Sequence, residues 1–268
     1  MYRVLIISLF ICLVPGLSKE NGPLEHFQGR IVGGEDADIE DFPYQVSVEY
    51  YKVHLCGGAI IGSEWIVTTA APLVRLISPQ IQIRAGTTTR GVGGTVHPAS
   101  KIIPHPNHIW NSTDNDYDIC LIRVTTPLEF NSQVQPIPMS TLEPNPGDTG
   151  IVTGWGGTSS EGPLFSQLQF MSVPIVEREI CNDTYSYYGG MTANQFCAGM
   201  NGVDACLGDA GNPLVIAGEL VGLVSWGIGC DVPDYPGVYT TISTLRDFVT
   251  MNTGADYFYY NTSEIMSN

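Results

Sequence analysis

The chain has 268 residues and carries 27 acidic side chains against 11 basic ones, for a net charge of −16. Arg3, Lys19 and Arg30 face only Glu20 and Glu25 in the first thirty residues, so the chain from Ile31 onward carries −17. A surface of that sign repels nucleic acid, heparin and anionic lipid, which excludes those partners. It either keeps a secreted protein soluble or recruits basic partners.

Met1–Ser18 opens with a basic residue, continues through the apolar run Val4–Val14 and ends in small residues, the pattern of a secretory signal cleaved after Ser18. The run is shorter than the ~20 residues that a membrane span needs, so an extracellular protein without a membrane anchor is expected. Lys19–Arg30 is short and polar and reads as a propeptide. From Phe42 onward, short alternating stretches such as Tyr44-Gln45-Val46-Ser47-Val48 are separated by turns rich in Gly, Pro and Asn. That pattern predicts an all-β sandwich or barrel, and such proteins run to about 250 residues as one domain. A proline-rich connection, Val134–Pro138 through Pro144 and Pro146, divides it.

Helical periodicity is almost absent until Thr244–Asn252, which has room for a short terminal helix. The tail Ala255–Asn268 contains Tyr257-Phe258-Tyr259-Tyr260, which either docks on the body or stays disordered. Asn111, Asn182 and Asn261 each begin an N-glycosylation sequon. Once Cys12 leaves with the signal, six cysteines remain, and sequence alone permits fifteen pairings.

Three motifs carry a resemblance. Asp204-Ala205-Cys206-Leu207-Gly208-Asp209-Ala210-Gly211-Asn212-Pro213 resembles the nucleophile loop of trypsin-like serine proteases, with Ala210 in the serine's place and Asn212 in that of a glycine. Trp65-Ile66-Val67-Thr68-Thr69-Ala70-Ala71-Pro72 is similar to the family's histidine signature, with Ala71 where the general base stands. Asp118 of Asp118-Ile119-Cys120-Leu121-Ile122 matches the aspartate of the triad.

The resemblance implies two six-stranded Greek-key β-barrels, about 31–130 and 147–243, inside a domain of residues 31–254, with the cleft between them and a short C-terminal helix. It implies activation by cleavage between Arg30 and Ile31, with the new amino group pairing with Asp209. The oxyanion hole would be the amides of Gly208 and Ala210. The substrate pocket would be Asp204 at the floor, taking Arg or Lys, between Ser225-Trp226-Gly227 and Gly237. Disulfides Cys181–Cys197 and Cys206–Cys230 are implied. Cys56 would lose its partner to Pro72, leaving it and Cys120 as two thiols or as an unusual pair.

His54 is expected in a packing role, His97, His105 and His108 on surface loops, and Asn212 in left-handed backbone. Between Glu64 and Asp114 there is no acidic residue, so no metal site is expected, nor any other cofactor. Facing Ala71, the buried carboxyl of Asp118 should either meet water or take up a proton.

A methyl group cannot attack a carbonyl. With alanine at 71 and 210 the expectation is therefore a secreted, monomeric, inactive serine-protease homologue, of a kind found in arthropods. It would bind a protease, a protease inhibitor or another cascade component as regulator, cofactor or decoy in immunity, clotting or complement evasion. The competing expectation is a residual or engineered-inactive trypsin-like endopeptidase with Arg/Lys specificity.

Overall fold

The computed structural model describes residues 34–110, 112–157, 162–199, 208–229, 232 and 234–254. The short strand β1 (Glu35–Asp36) precedes a closed barrel of β2 (Gln45–Tyr50), β3 (Val53–Gly62), β4 (Trp65–Thr68), β5 (Ile81–Ala85), β6 (Thr95–Pro104) and β7 (Cys120–Val124). Its hydrogen-bonded order is β2-β3-β4-β7-β6-β5, with β5 returning to β2. In β5 the sequence Ile-Gln-Ile-Arg-Ala turns alternate residues inward, the period of a strand with one face in a core. Val46, Val48, Ile60, Ile66, Ile83 and Ile122 fill the interior.

The second sheet contains β8 (Thr149–Gly154), β9 (Gln169–Pro174), β10 (Gln195–Ala198), β11 (Pro213–Ile216), β12 (Glu219–Trp226) and β13 (Gly237–Thr241). Its order is β1-β9-β8-β11-β12-β13-β10. The bridge between Ile175 and Ala198, with Val176 N donating to Cys197 O at 2.9 Å, joins its far strands. Six of the seven strands thus close on themselves, and β1 is appended to β9.

Helix α2 (Arg246–Thr253) buries Phe248 and Val249 and ends at Gly254, whose φ of 70° suits the left-handed C-cap. These two side chains join Ile119 and Leu121 of the first barrel and Leu223 and Ile242 of the second in one apolar cluster, so the helix seals the back of the two barrels. A second helix, α1 (Arg178–Thr184), carries no helical pattern in the sequence. Seven residues are too few to show a helical period, and a tertiary tie holds it: Cys181 is bonded to Cys197 of β10. The guanidinium of Arg178 donates to the carbonyls of Gln195 and Thr192 at 2.9 and 2.6 Å. Among the described residues no helix is long and apolar enough to cross a membrane.

Candidate active site

Ala71 and Asp118 come together where the first barrel meets the cleft. Asp118 precedes β7 and is buried, and its Oδ1 accepts the backbone N–H groups of Ala70 and Ala71 at 2.8 and 2.7 Å. Its Oδ2 accepts the Ser225 hydroxyl at 2.6 Å and the Asn115 amide at 3.0 Å. Neither of the two outcomes expected for this carboxyl stands alone. Burial does push its pKa up, against the pull of Ser225, Ala71, His108 and Ala70, but a protein amide also reaches the oxygen facing the cleft. Asn115 holds that position with φ of 46°, backbone that asparagine tolerates better than most residues, and its Nδ2 also reaches Ser225 Oγ at 3.0 Å.

In front of this carboxyl lies a cavity of about 350 Å³ lined by Ala71, Trp110, Ser112, Thr113, Asn115, Ser225 and Trp226. The guanidinium of Arg75 stands 3.4 Å over the Trp110 ring and braces that wall.

The Gly208–Ala210 segment approaches from the second barrel. Gly208 has φ of 86°, backbone that favours glycine, and a Cβ there would press on the Leu164 side chain at 2.8 Å from Cδ2. Asp209 is fully buried, and its Oδ1 accepts Gly156 N at 3.0 Å and the Asn212 amide at 2.6 Å. Ala210 O accepts Gly57 N at 2.8 Å, which ties the loop to β3.

His54 touches the same loop. The Gly208 carbonyl, 3.2 Å from Nε2, can only accept, so Nε2 carries the proton and Nδ1 accepts the Ser47 hydroxyl at 2.7 Å. Burial lowers the pKa of His54 to about 4, with the Gly208 contact acting in the opposite direction. The ring is neutral at physiological pH and serves as a strut between β2 and the loop, the packing role expected for it.

Across the cleft, Gly227 and Gly237 face each other, with a Cβ on Gly227 3.9 Å from Gly237 Cα. Asp204, Leu207, the Arg30–Ile31 junction, the Cys206–Cys230 pair, Asn111, Asn261 and the tail lie outside the described residues. Asn182 is exposed on α1, where its Oδ1 accepts Met191 N at 3.0 Å and its Nδ2 is the atom a glycan would use. Among the described residues no His, Cys, Asp and Glu cluster is arranged to hold a metal.

Two local expectations change. Asn212 is not in left-handed backbone; Gly211 beside it takes φ of 78°, and the Asn212 side chain is spent on buried hydrogen bonds. Of the histidines expected on surface loops, His105 and His108 do lie on the half-buried loop between β6 and β7, and His97 is the one that is buried in a strand. His97, in β6, is held between Thr126 O and Thr95 Oγ1 at 2.9 and 2.8 Å. His105 lies between Tyr117 and Phe248 with both ring centroids 4.6 Å away, and His108 Nδ1 meets Asp116 O at 2.9 Å. Cys56 and Cys120 are separate buried thiols; burial raises Cys56 to about 12 and Cys120 well above the usual range.

A family model described as trypsin matches residues 31–249. The chain is 40% identical over 248 residues to trypsin alpha of Drosophila melanogaster, covering 92% of this chain and 96% of that one. It is 36% identical over 258 residues to hypodermin-B of Hypoderma lineatum, covering 94% and 98%. Among solved structures, neuropsin, a serine protease expressed in the limbic system of mouse brain, superposes with a TM-score of 0.76 at 30% identity, over 82% of this chain and 98% of that one. The chain belongs to the trypsin family.

Family membership corrects one expectation. That the chain is not an enzyme was drawn from Ala71 and Ala210, but relatives named trypsin match it over nearly their whole length. A histidine, His54, is also present and buried against the loop of Gly208. Asn115 and Ser47 belong to none of the motifs, and the Gln45 partner of Asn212 lies 167 residues away, so no sequence signal pointed to these side-chain roles.

Proposed function

We propose that the chain is a secreted, extracellular endopeptidase of the trypsin type with low turnover, directed to Arg or Lys side chains of polypeptides. As a monomer it retains an extracellular protein partner, such as a protease, a protease inhibitor or another cascade component, for longer than it takes a fast enzyme to cut one, and so regulates that partner. The observation that carries the reading is the Gly208–Ala210 loop, tied by His54, Gly156, Asn212 and Gly57 in a chain 40% identical to a trypsin. Backbone donors at such a loop stabilise a developing oxyanion whatever side chain stands at 210.

Turnover is slow because the methyl groups of Ala71 and Ala210 neither accept a proton nor attack, leaving water as the nucleophile. In a related protease, donors and binding alone retain about 10³ to 10⁴ over water. His54 does not substitute, since its Nδ1 lone pair is occupied by Ser47.

The test combines calorimetric titration of the Arg30-cleaved protein with benzamidine and hydrolysis of arginine and alanine peptide esters. Binding that vanishes in Asp204→Ala, with arginine-selective turnover suppressed by benzamidine, is expected. Absence of binding together with ester hydrolysis at the background rate overturns the reading.

A further inference from the structure

Asn212 occupies a slot between the barrels that two glycines keep open. A Cβ on Gly57 of β3 or on Gly154 of β8 would collide with the Asn212 amide, and one on Gly156 would collide with the Asp209 carboxylate. Both ends of the amide are used: Nδ2 donates to Asp209 Oδ1 at 2.6 Å, and Oδ1 accepts Gln45 Nε2 at 3.0 Å. Gln45 Oε1 in turn accepts the Thr153 hydroxyl at 2.6 Å. Gln45, Thr153, Asp209 and Asn212 are all fully buried, so every break in this chain leaves a polar group without water. The chain runs from β2 of the first barrel through Asn212 to the loop, and every member lies within the described body, after residue 33.

We propose that Asn212 is a positioning residue that sets the Gly208–Ala210 loop from inside the body of the protein, so that the cleft is assembled before the chain is cut after Arg30. The Asn212 amide is a fixed donor that arrives with folding rather than with cleavage. Its Oδ1 anchor on Gln45 fixes the amide's orientation, and its Nδ2 fixes the Asp209 carboxylate. The main chain continues the restraint, with Asn212 N donating to Asp209 O and Gly211 N to Val224 O at 2.9 and 2.8 Å.

The experiment uses the full chain in two forms, an uncleavable Arg30→Gln protein and wild type cut after Arg30, each with and without Asn212→Gly. Two readouts are taken: benzamidine affinity, and hydrogen exchange of the 208–211 amides by mass spectrometry. The ligand arm rests on the proposed Arg/Lys reading of the cleft; the exchange arm does not. Without Asn212 the assembled state is a smaller fraction of the uncleaved ensemble, and apparent affinity falls by that fraction.

Expected are equal affinity and equal protection in Arg30→Gln and cleaved wild type. Asn212→Gly in the uncleaved chain should weaken binding and speed exchange by about 10- to 100-fold, the size of one lost hydrogen bond to a charged acceptor. A merely structural role would lower stability in both forms alike and leave the ratio between them unchanged. Should Asn212→Gly not fold, Gln45→Ala, which removes the anchor on Oδ1 together with the acceptor of the Thr153 hydroxyl and leaves the Asn212–Asp209 contact in place, is expected to shift the same ratio in the same direction. The proposal is overturned if the 208–211 amides exchange at least tenfold faster in Arg30→Gln than in cleaved wild type, or if the variants leave exchange unchanged. If neither form of wild type binds benzamidine, the Arg/Lys reading fails and exchange alone decides.

Discussion

Asn115 supplies the amide that meets the cleft side of Asp118, and its removal has a worked consequence. The carboxylate has four donors, two backbone N–H groups, Ser225 Oγ and Asn115 Nδ2, so one of four is lost. A hydrogen bond to a charged group contributes about 1.5–3 kcal/mol. The adjoining cavity of about 350 Å³ can admit water to the vacated position, which places the loss near the lower end of that range. The backbone modifies this differently in the two replacements. Asn115→Gly removes a Cβ from left-handed backbone at φ of 46°, which offsets the about 0.5–1 kcal/mol by which glycine frees the unfolded chain, whereas Asn115→Ala keeps the Cβ there and forfeits asparagine's tolerance of that conformation, a cost below the ~1–2 kcal/mol of the conformation itself. Both variants should therefore lose roughly 1.5 to 3 kcal/mol in urea unfolding at pH 7, with the glycine variant at the lower end.

Only the shared part depends on pH. Asn115 stabilises the ionised carboxylate of a group whose pKa burial already raises, so the deficit should narrow as acid protonates Asp118 in the folded protein. Unfolding curves for wild type and both variants at pH 7 and pH 4 decide the matter. Either variant matching wild type at pH 7, or a deficit unchanged at pH 4, would refute the assignment of Asn115 as the partner of this carboxylate.

Three further outcomes are expected. His54 has a folded pKa of about 4 against an ordinary 6.5, so its contribution is complete above pH 6.5 and is lost as pH falls toward 4, amounting to roughly 3 kcal/mol; urea midpoints of His54→Gln should lack that part of the wild-type acid dependence. The hairpin between β2 and β3 turns on Tyr51 and Lys52 at φ of 45° and 71°, so replacing them by Asn and Gly should raise stability by about 1 kcal/mol, read as a higher urea midpoint with unchanged slope. Ala71→His with Ala210→Ser together should raise arginine-ester turnover by several orders of magnitude, up to about 10⁶-fold, while either alone adds little; a double variant that binds benzamidine yet turns over no faster than wild type would show that Asn115 does not yield its place beside Asp118.

The β-barrel architecture was legible because alternation is local: Tyr44–Val48 and Ile81–Ala85 announce their inward faces residue by residue. The same locality explains the failures. Helix α1 is stabilised by the disulfide to Cys197 and by Arg178 reaching Gln195 and Thr192, none of which leaves a period in seven residues. His97 stands among polar and turn-forming neighbours, as surface histidines do, and its burial is decided by residues that arrive from elsewhere in the chain.

At the site, motif spacing located Ala71, Asp118 and the 208–213 loop, because those positions are defined by order along the chain. What the motifs could not supply was the answer of the surroundings to the changed residues. Ala71 invited a reading in which Asp118 faces emptiness, yet a residue three positions before Asp118 carries an amide to its oxygen. Asn212 invited a reading about backbone, since asparagine in a glycine's place first suggests left-handed φ; the deciding partner, Gln45, lies 167 residues away. A substitution at a glycine inside a packed loop has to be absorbed by neighbours that have no Cβ of their own. The side chain of Asn212 fits because Gly57 and Gly154 leave its slot open, and that makes residue 212 part of the connection between the two barrels and the loop on which any chemistry of this cleft depends.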